Sequence, residues 1–600
     1  MLPLTSSVFF VGSPAPHLHK ATAWDETRQP NGGRSPSAPL AGSATPSSTP
    51  TTATPQSSSS SAVPISSIPR HVAVIMLKHY CEIYRPQYPA VEEHDLLQAF
   101  DRVYDKTSSS LSSSPTASDF DVFCVHITLA ISTTTLMYRD AGRAATATAG
   151  FWATAVSHLD ALDRASVHNP WQRVQALQLL AHYGFLNPKD VDCVRCTAAA
   201  LRLCVQLGVH HELPEDMRRN VDDSTLNIRR RLFWHALSLD LAANSTRGRP
   251  ASLRRHDFTA KMPTLGASSP TAHVWALRQM EGQILDTLYY PSNAMSPDGL
   301  DTWHSDIRTR LTAWHQATRQ SVALAETLEF AEILFHMQRL RLSRPSPRRP
   351  NPTPAQQSEC LAAAVAVLRA FDVIARLGKL FYIWHAAHCV VEAATCLCAA
   401  ILTAVCPNGE RTMSEARTQE EVVSVSDVPI LTRHLKTFPG ILWKMARRWP
   451  AVAHHAAALE RISQAVVERL QLWAANPEAE LSEGTVALKQ KLKDMSLFSP
   501  FPEEPTVEQT VDTPPVDVNI TAPFDANWTL PPLSPNEVLA VSASTTSTMV
   551  DPGSTFGTTD DSVLDWDFAG VGFEEIFSAL IQANHTEEEA TTVAPDDMLA

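Results

Sequence analysis

The sequence predicts an all-α protein, a large multi-helix bundle or array between a disordered Ser/Thr/Pro-rich N-terminus and an acidic disordered C-terminal tail. Apolar residues recur at helical spacing from about residue 71 to residue 494, and alternating strand patterns of any length are absent. Prolines number 43 against 20 glycines, and serine and threonine are concentrated at the ends. With 600 residues, the chain is too long for one small core, so we expect one large helical domain with disordered flanks.

Residues 1–68 are predicted to be a disordered leader. They consist mainly of Ser, Thr, Pro, Ala and Gly, with an unbroken serine run at Ser57–Ser61. Such a segment cannot bury enough apolar surface to offset the conformational entropy of the chain. The first residues also lack the basic start of a secretory signal, and Pro3 breaks any helix there.

Residues 69–475 are predicted to form the helical domain, with a proline-rich loop from Arg344 to Pro354. Residues 476–500 are predicted to be a linker with a short helix near Gly484–Asp494, and residues 501–600 the acidic tail. The predicted helices of the domain are Val72–Tyr84, Glu92–Tyr104, Phe120–Tyr138, Arg143–Ala165, Pro170–Phe185, Lys189–Gly208, Leu226–Ala243, Ala272–Leu288, Asp298–Ala317, Val322–Leu342, Glu359–Leu377, Phe381–Val405, Val428–Trp449 and Ala451–Trp473.

Two central helices show the helical period most clearly. On the helix 189–208, six residues at spacings of three and four predict one core-facing side. These residues are Val191, Val194, Ala198, Leu201, Val205 and Gly208. On the helix 226–243, the corresponding residues are Ile228, Leu232, Ala236 and Leu239.

The ten cysteines lie mostly in apolar helical stretches, which predicts free thiols in a reducing compartment. Cys193 and Cys196 have the spacing of a zinc-ligand pair and are followed by Cys204, but they lie on a predicted helix rather than on the turns that hold zinc ligands. The longest apolar run, Cys389–Cys406, contains Glu392 and is predicted to be a buried helix rather than a membrane span.

The C-terminal tail differs electrostatically from the rest. Residues 501–600 contain 19 acidic residues and neither lysine nor arginine, so residues 1–500 carry +5 of the total charge of −14. Apolar side chains lie among these carboxylates, which is typical of an acidic activation segment that folds on a coactivator. The alternatives are a helix that docks on the protein's own core and an inert solubilising tail. The predicted activation residues are Leu564, Trp566, Phe568, Phe573, Ile576, Phe577 and Leu580.

Two basic clusters allow more than one interpretation. Arg229, Arg230 and Arg231 could contact DNA, but we expect them to line a solvated face or to pair with the aspartates Asp222, Asp223 and Asp240. The densest positive run is either a nuclear localisation patch or part of a solvated loop. It comprises Arg339, Arg341, Arg344, Arg348 and Arg349.

No enzyme motif is present in the sequence: it has no Gly-rich phosphate loop, no Gly-x-Ser-x-Gly and no His-Glu-x-x-His. The enzyme class that competes is an all-α metal-dependent isoprenoid-type fold. That class needs a further carboxylate near Asp222 and Asp223, and the sequence does not supply one nearby.

Several landmarks follow one another over roughly residues 72–475, and their order resembles the middle homology region of fungal transcription factors of the binuclear zinc cluster (Zn2Cys6) class. No single landmark is specific, but so many in the same order are difficult to obtain by chance. They are Tyr80–Pro89, Leu207–Glu212, Arg229–Asp240, Gly248–Pro250 with Met262–Pro263, Leu340–Pro347, Tyr382–His388 and Leu442–Pro450.

The resemblance implies a nuclear transcription regulator, not an enzyme, such as a pathway-specific activator of a metabolic or secondary-metabolite gene cluster. Its partners would be coactivators and either a second copy or a DNA-binding partner factor. Such factors usually carry six cysteines that hold two zinc ions, yet no cysteine precedes Cys81. We therefore predict no cofactor, with zinc only if an N-terminal cluster is missing from this sequence. In that case the protein binds DNA itself; otherwise it is a co-regulator that acts through a partner.

Overall fold

The computed structural model describes residues 65–502, except for residues 66–67, 109–116, 137–140, 160–168, 266–268, 292–294, 322–323, 325–327, 329, 407–421, 477–483 and 497. The predicted leader and acidic tail lie almost entirely outside the described residues, so the domain boundaries stay predictions.

The all-α prediction is confirmed. Among the described residues there are sixteen α-helices and no strand, only an isolated bridge between Ser346 and Arg349. The helices are α1 (Arg70–His79), α2 (Glu93–Ser108), α3 (Asp119–Leu136), α4 (Ala141–Ser157), α5 (Pro170–Leu186), α6 (Cys193–Gln206), α7 (Glu215–Arg218), α8 (Asp223–Thr246), α9 (Pro270–Ile284), α10 (Pro297–Gln320), α11 (Ala331–Ser343), α12 (Pro354–Arg376), α13 (Ile383–Val405), α14 (Val428–Arg448), α15 (Ala453–Ala475) and α16 (Thr485–Asp494). Single π-helical turns, Tyr80–Tyr84 and Leu285–Tyr289, continue α1 and α9.

Several helix starts follow from local chemistry. The carboxylate of Asp192 accepts hydrogen bonds from the first backbone N–H groups of α6, and Asp222 does the same for α8. Thr353 and Gln356 form a reciprocal capping box at the start of α12, whose first residue is Pro354.

The buried apolar residues form two cores. The first is built largely by α1–α5 together with α12–α16. The second is built by α8–α10 with parts of α5, α6 and α11. Helices α5, α6, α8 and α11 contribute residues to both cores, so they lie between them.

Helix α13 is the one described helix that is long and apolar enough to cross a membrane, judged by length and composition alone. Its apolar window is 78% buried inside the protein, and its Glu392 is paired with two arginines. These contacts make α13 a core helix of the domain.

Two details of the helix prediction were wrong. The helix predicted to begin at Lys189 begins at Cys193, because Asp192 caps it, and the one predicted to begin at Glu359 begins at Pro354, after the N-cap Thr353. The helix predicted over Val322–Leu342 is interrupted at Phe330, after which α11 begins, and most of residues 322–329 lie outside the described residues. The predicted core-facing side of α6 was also wrong, since Ala198 is exposed and Val194 and Val205 are only partly buried. The residues that α6 buries are Cys193, Cys196, Thr197, Ala200, Leu201 and Cys204.

Candidate functional site

The predicted activation segment, from Leu564 to Leu580, lies outside the described residues. Its role therefore stays a prediction.

The predicted nuclear localisation patch does not form one exposed surface. Arg341 and Arg344 are buried, and both pair with Glu392 of α13, at 2.9 and 3.2 Å. Arg339 pairs with Glu359 of α12 at 2.7 Å. An import receptor reads exposed basic side chains, so the burial of two members argues against this assignment, which stays a prediction.

The last two members of that patch, Arg348 and Arg349, lie in the loop after α11. The backbone N–H of Arg348 donates to the carbonyl of Leu288, and the side chain of Arg349 pairs with Asp301 of α10. The arginine-proline loop is therefore tied to the second core.

The basic start of α8 pairs inside the domain, as expected, but with different partners. Arg230 makes a two-pronged ion pair with Glu212, at 2.8 and 2.6 Å, and Arg231 pairs with Glu92. The guanidinium of Arg229 donates to the carbonyl of Gly208 at 3.1 Å. These contacts connect α8 to the loop after α6 and to the residue before α2.

The aspartates that were expected as partners serve other purposes. Asp222 accepts from the backbone N–H and the hydroxyl of Thr225, both at 2.8 Å, as the N-cap of α8. Asp240 is buried and accepts from the hydroxyl of Ser252 at 2.7 Å. Asp222, on which the isoprenoid-type alternative relied, thus has a structural role.

A group of polar side chains, all buried except the partly buried Tyr88, lies where the two cores meet. We call it the buried polar cluster: Tyr80, Tyr88, His182, His235, Arg278, Glu281, Gln338 and Tyr382. Its aromatic half is centred on His182 of α5. The ring of Tyr88 stacks on His182 with 4.0 Å between centroids, and the Nε2 atom of His182 is 3.2 Å from the hydroxyl of Tyr382. His235 of α8 is held by Gln178, with 3.1 Å between Nδ1 and Oε1.

The charged half of the cluster is centred on Glu281 of α9. This carboxylate is 1% exposed and accepts from Arg278 at 2.7 Å, from Gln338 at 2.8 Å and from Ser245 at 3.2 Å. Burial raises the pKa of Tyr88, and the neighbouring Arg278 opposes that rise. The two halves of the cluster therefore adjoin each other.

Four atoms of this cluster have no hydrogen-bond partner among the described residues: the hydroxyl of Tyr80, Nδ1 of His182, Nε2 of His235 and Oε1 of Gln338. Each of these side chains is at least nine-tenths buried. Natural proteins rarely leave buried polar atoms unsatisfied, because each one costs about 1–3 kcal/mol. The arrangement can hydrogen-bond small polar molecules, water included.

The histidines of the cluster are neutral. Burial lowers the pKa of His235 to about 3, and burial together with the nearby His235 lowers the pKa of His182 well below its usual value. A neutral imidazole offers one donor and one acceptor, so each ring can still hydrogen-bond a polar group.

A metal site is not indicated in the described part of the chain, where no group of three or more His, Cys, Asp or Glu side chains could hold an ion. Cys193 and Cys196 are buried on α6, and burial raises the pKa of both thiols. They pack as small apolar residues.

Sequence reasoning missed the buried polar cluster. The available signal was the presence of Gln178, His182, Arg278 and Glu281 inside otherwise apolar helical runs. Each polar residue could have been on a solvated face, however, and only the packing of the helices brings them together.

In comparison with known proteins, residues 77–316 match the family model described as the fungal specific transcription factor domain. The chain is 25% identical over 257 residues to the Pyrimidine pathway regulatory protein 1 of Saccharomyces cerevisiae, and that stretch covers 37% of this chain and 28% of the relative. The match thus spans less than a third of the length of this curated relative. No solved structure shows a significant match to the chain. The assigned range runs from the end of α1 into α10 and includes most of the buried polar cluster.

Proposed function

We propose that this transcription regulator, whose residues 77–316 belong to the fungal specific transcription factor domain family, is a pathway-specific activator that works in the nucleus through its acidic C-terminal segment. The helical domain is the regulatory part, and the segment around Trp566 and Phe577 recruits coactivators. The pathway-specific role is in keeping with the printed name of the relative, a pathway regulatory protein.

The observation that supports this proposal is that acidic residues are concentrated in the last hundred residues, with aromatic residues among them. The last hundred residues hold 19 acidic side chains and neither lysine nor arginine. Within them, Phe573, Ile576, Phe577 and Leu580 follow helical spacing. Like charges keep such a segment open, while its apolar side chains supply the energy for folding into a partner's groove.

Contact with DNA has two possible sources. A zinc cluster preceding this sequence would bind DNA directly, in a homodimer or alone. Otherwise a partner factor held by the helical domain would supply the contact, and the chain would act as a co-regulator. The genomic sequence upstream of Met1 distinguishes them, since a reading frame with six spaced cysteines supports the first.

The activating role is tested by fusing the full chain to an unrelated DNA-binding domain and measuring a reporter. We expect activation by the unchanged chain. Replacing Trp566, Phe568, Phe573 and Phe577 by alanine removes the apolar anchors and is expected to abolish it.

The matched control is Phe556→Ala, which truncates an aromatic side chain in the same tail but outside the predicted activation residues, Leu564 to Leu580. It should leave the reporter output unchanged at equal protein level. Equal activation by the fourfold variant and the unchanged chain would reject the aromatic mechanism.

A further inference from the structure

Helix α14 has an exposed face that is positively charged and partly apolar. We call it the α14 face, defined by Ile430, Arg433, Lys436, Trp443, Lys444 and Arg447, all of which are exposed. No acidic residue occurs anywhere between Val428 and Arg448. At 100° per residue these six side chains fall within one half of the helix surface.

The basic side chains of this face are not neutralised by ion pairs with described residues. Among the described residues, no carboxylate lies within ion-pair distance of Arg433, Lys436 or Arg447, while Lys444 donates to the carbonyl of Ala375 at 3.2 Å. Most other arginine clusters of the domain pair internally, as Arg341 and Arg344 do with Glu392.

Large apolar side chains lie among these charges. Ile430 is 56% exposed and Trp443 is 40% exposed, and Leu377, at the neighbouring end of α12, is 57% exposed. A Cβ atom at Gly440, between Lys436 and Trp443, would meet nothing within 4 Å, so the middle of the face is open. The indole N–H of Trp443 donates to the carboxylate of Glu460 on α15 at 3.0 Å, and the exposed part of its ring lies on the same face as the unpaired cations.

We infer that the α14 face docks the chain's own acidic aromatic segment, residues 560–581. Its carboxylates complement the unpaired cations, and Trp566, Phe568, Phe573 and Phe577 match the exposed apolar side chains of the face. Residues 501–600 carry 19 acidic side chains and neither lysine nor arginine, whereas residues 1–500 carry a net +5.

The segment is also within reach. The last described residue, Pro502, is followed by 57 residues before Asp560. A flexible chain of about that length has a root-mean-square end-to-end distance of roughly 40 Å, comparable with the size of the domain. Intramolecular docking therefore requires no second copy, and it would withhold the apolar side chains from coactivators.

The test uses the full chain with the photo-crosslinking amino acid p-benzoylphenylalanine in place of Phe573. After irradiation, mass spectrometry should place crosslinks in Val428–Arg448 or the adjacent end of α12. Their yield should fall several-fold when salt is raised from about 0.1 M to about 1 M, as the Debye length shrinks from roughly 10 to 3 Å.

The double substitution Arg433→Glu and Lys436→Glu should lower the crosslink yield several-fold, and Arg433→Gln with Lys436→Gln should lower it less. The matched control is Arg218→Glu with Arg219→Glu, the same charge change at two exposed arginines at the C-terminal end of α7. It should leave the yield unchanged. All four positions are exposed, so an unchanged melting temperature should confirm that each variant folds.

Several results would overturn the inference. Crosslinks between isotopically distinct copies would assign the face to a dimer contact. Crosslinks only to other regions, residues 407–421 included, or a yield unaffected by the glutamate variant, would reject docking on α14. Loss of duplex DNA binding in that variant with unchanged crosslinking would make the face a nucleic-acid surface instead.

The inference rests on the proposed function only for its regulatory meaning. In the tethered reporter, the Arg433 and Lys436 glutamate variant should raise output several-fold, because the segment is released. Crosslinks in the unchanged chain, with no reporter activity even from the Arg433 and Lys436 glutamate variant, would leave docking intact and reject the proposed function. Reporter activity without crosslinks would support the proposed function and reject docking.

Discussion

Removing the carboxylate of Glu392 should destabilise the domain more than most single substitutions. Glu392 lies on α13, with its side chain 18% exposed, and it pairs with Arg341 and Arg344, whose side chains are 6% and 7% exposed. Burial raises the pKa of Glu392, but the two guanidinium groups outweigh that effect and hold the pKa below its ordinary value. The carboxylate is therefore charged at neutral pH.

The magnitude follows from the charges that Glu392→Ala would strand. Breaking a buried ion pair by removing one partner costs about 3–5 kcal/mol, because the remaining charge has lost its water and its partner. Here two guanidinium groups lose the same carboxylate, although Arg344 keeps a hydrogen bond to the carbonyl of Phe498. We expect a loss within or slightly above that range.

The assay is urea unfolding of the full chain followed by circular dichroism. The matched control is Asp101→Ala, which breaks the ion pair of Arg70 and Asp101, whose side chains are 49% and 59% exposed. Surface pairs contribute about 0–1 kcal/mol, so the control should stay within that range.

A triple variant isolates the cause. Replacing Glu392, Arg341 and Arg344 together by methionine removes all three charges and keeps most of the volume, so stability should return close to that of the unchanged protein. If the triple variant is as unstable as Glu392→Ala, or if Glu392→Ala costs less than the control, the reasoning from stranded charge is refuted.

Two further predictions concern packing and protonation. A Cβ atom at Gly184 would lie 2.9 Å from the Cβ of Cys193 on α6, so Gly184→Ala should lower the thermal midpoint. A Cβ atom at Gly440 would meet no atom within 4 Å, so Gly440→Ala should raise stability by about 0.5–1 kcal/mol through helix propensity. Calorimetry measures both changes. The folded-state pKa values of His182 and His235 are lowered, so their stabilising contribution is complete above pH 6.5 and is lost as the pH falls towards the folded pKa. Each should therefore cost about 1.4 kcal/mol per pH unit below 6.5, measurable by urea titration, and stability that is constant from pH 6.5 to 5 would contradict buried neutral rings.

The order and type of the helices could be predicted from the sequence because apolar periodicity is a local property. The face of α6 could not. Two sets of residues offset by one position both fit spacings of three and four, and the set with valines and alanines was chosen over the set with Cys193, Thr197 and Cys204. Cysteine behaves as a small buried residue, and Asp192 starts the helix, which leaves Val191 in front of it.

The buried polar cluster could not be predicted, for a different reason. His182 and Tyr382 are 200 positions apart, and Gln338 and Glu281 are 57 apart, yet each pair is within hydrogen-bond distance. No periodicity in the sequence determines which polar residue of one helix meets which of another, because that depends on how helices such as α5, α9 and α11 pack. The activation segment differs from the cluster, because its prediction rests on amino-acid composition alone and does not depend on how helices pack.

The buried polar cluster and the α14 face are joined by one side chain. Arg448, the last residue of α14, donates to the carbonyl of Leu380 at 2.9 Å and to the carbonyl of Leu186 at 3.2 Å. Leu186 ends α5, which carries His182, and Leu380 lies two residues before Tyr382. The two segments whose side chains meet in the cluster are thus hydrogen-bonded to the same end of α14. Arg448 thereby connects both segments to the end of α14 that carries Trp443, Lys444 and Arg447.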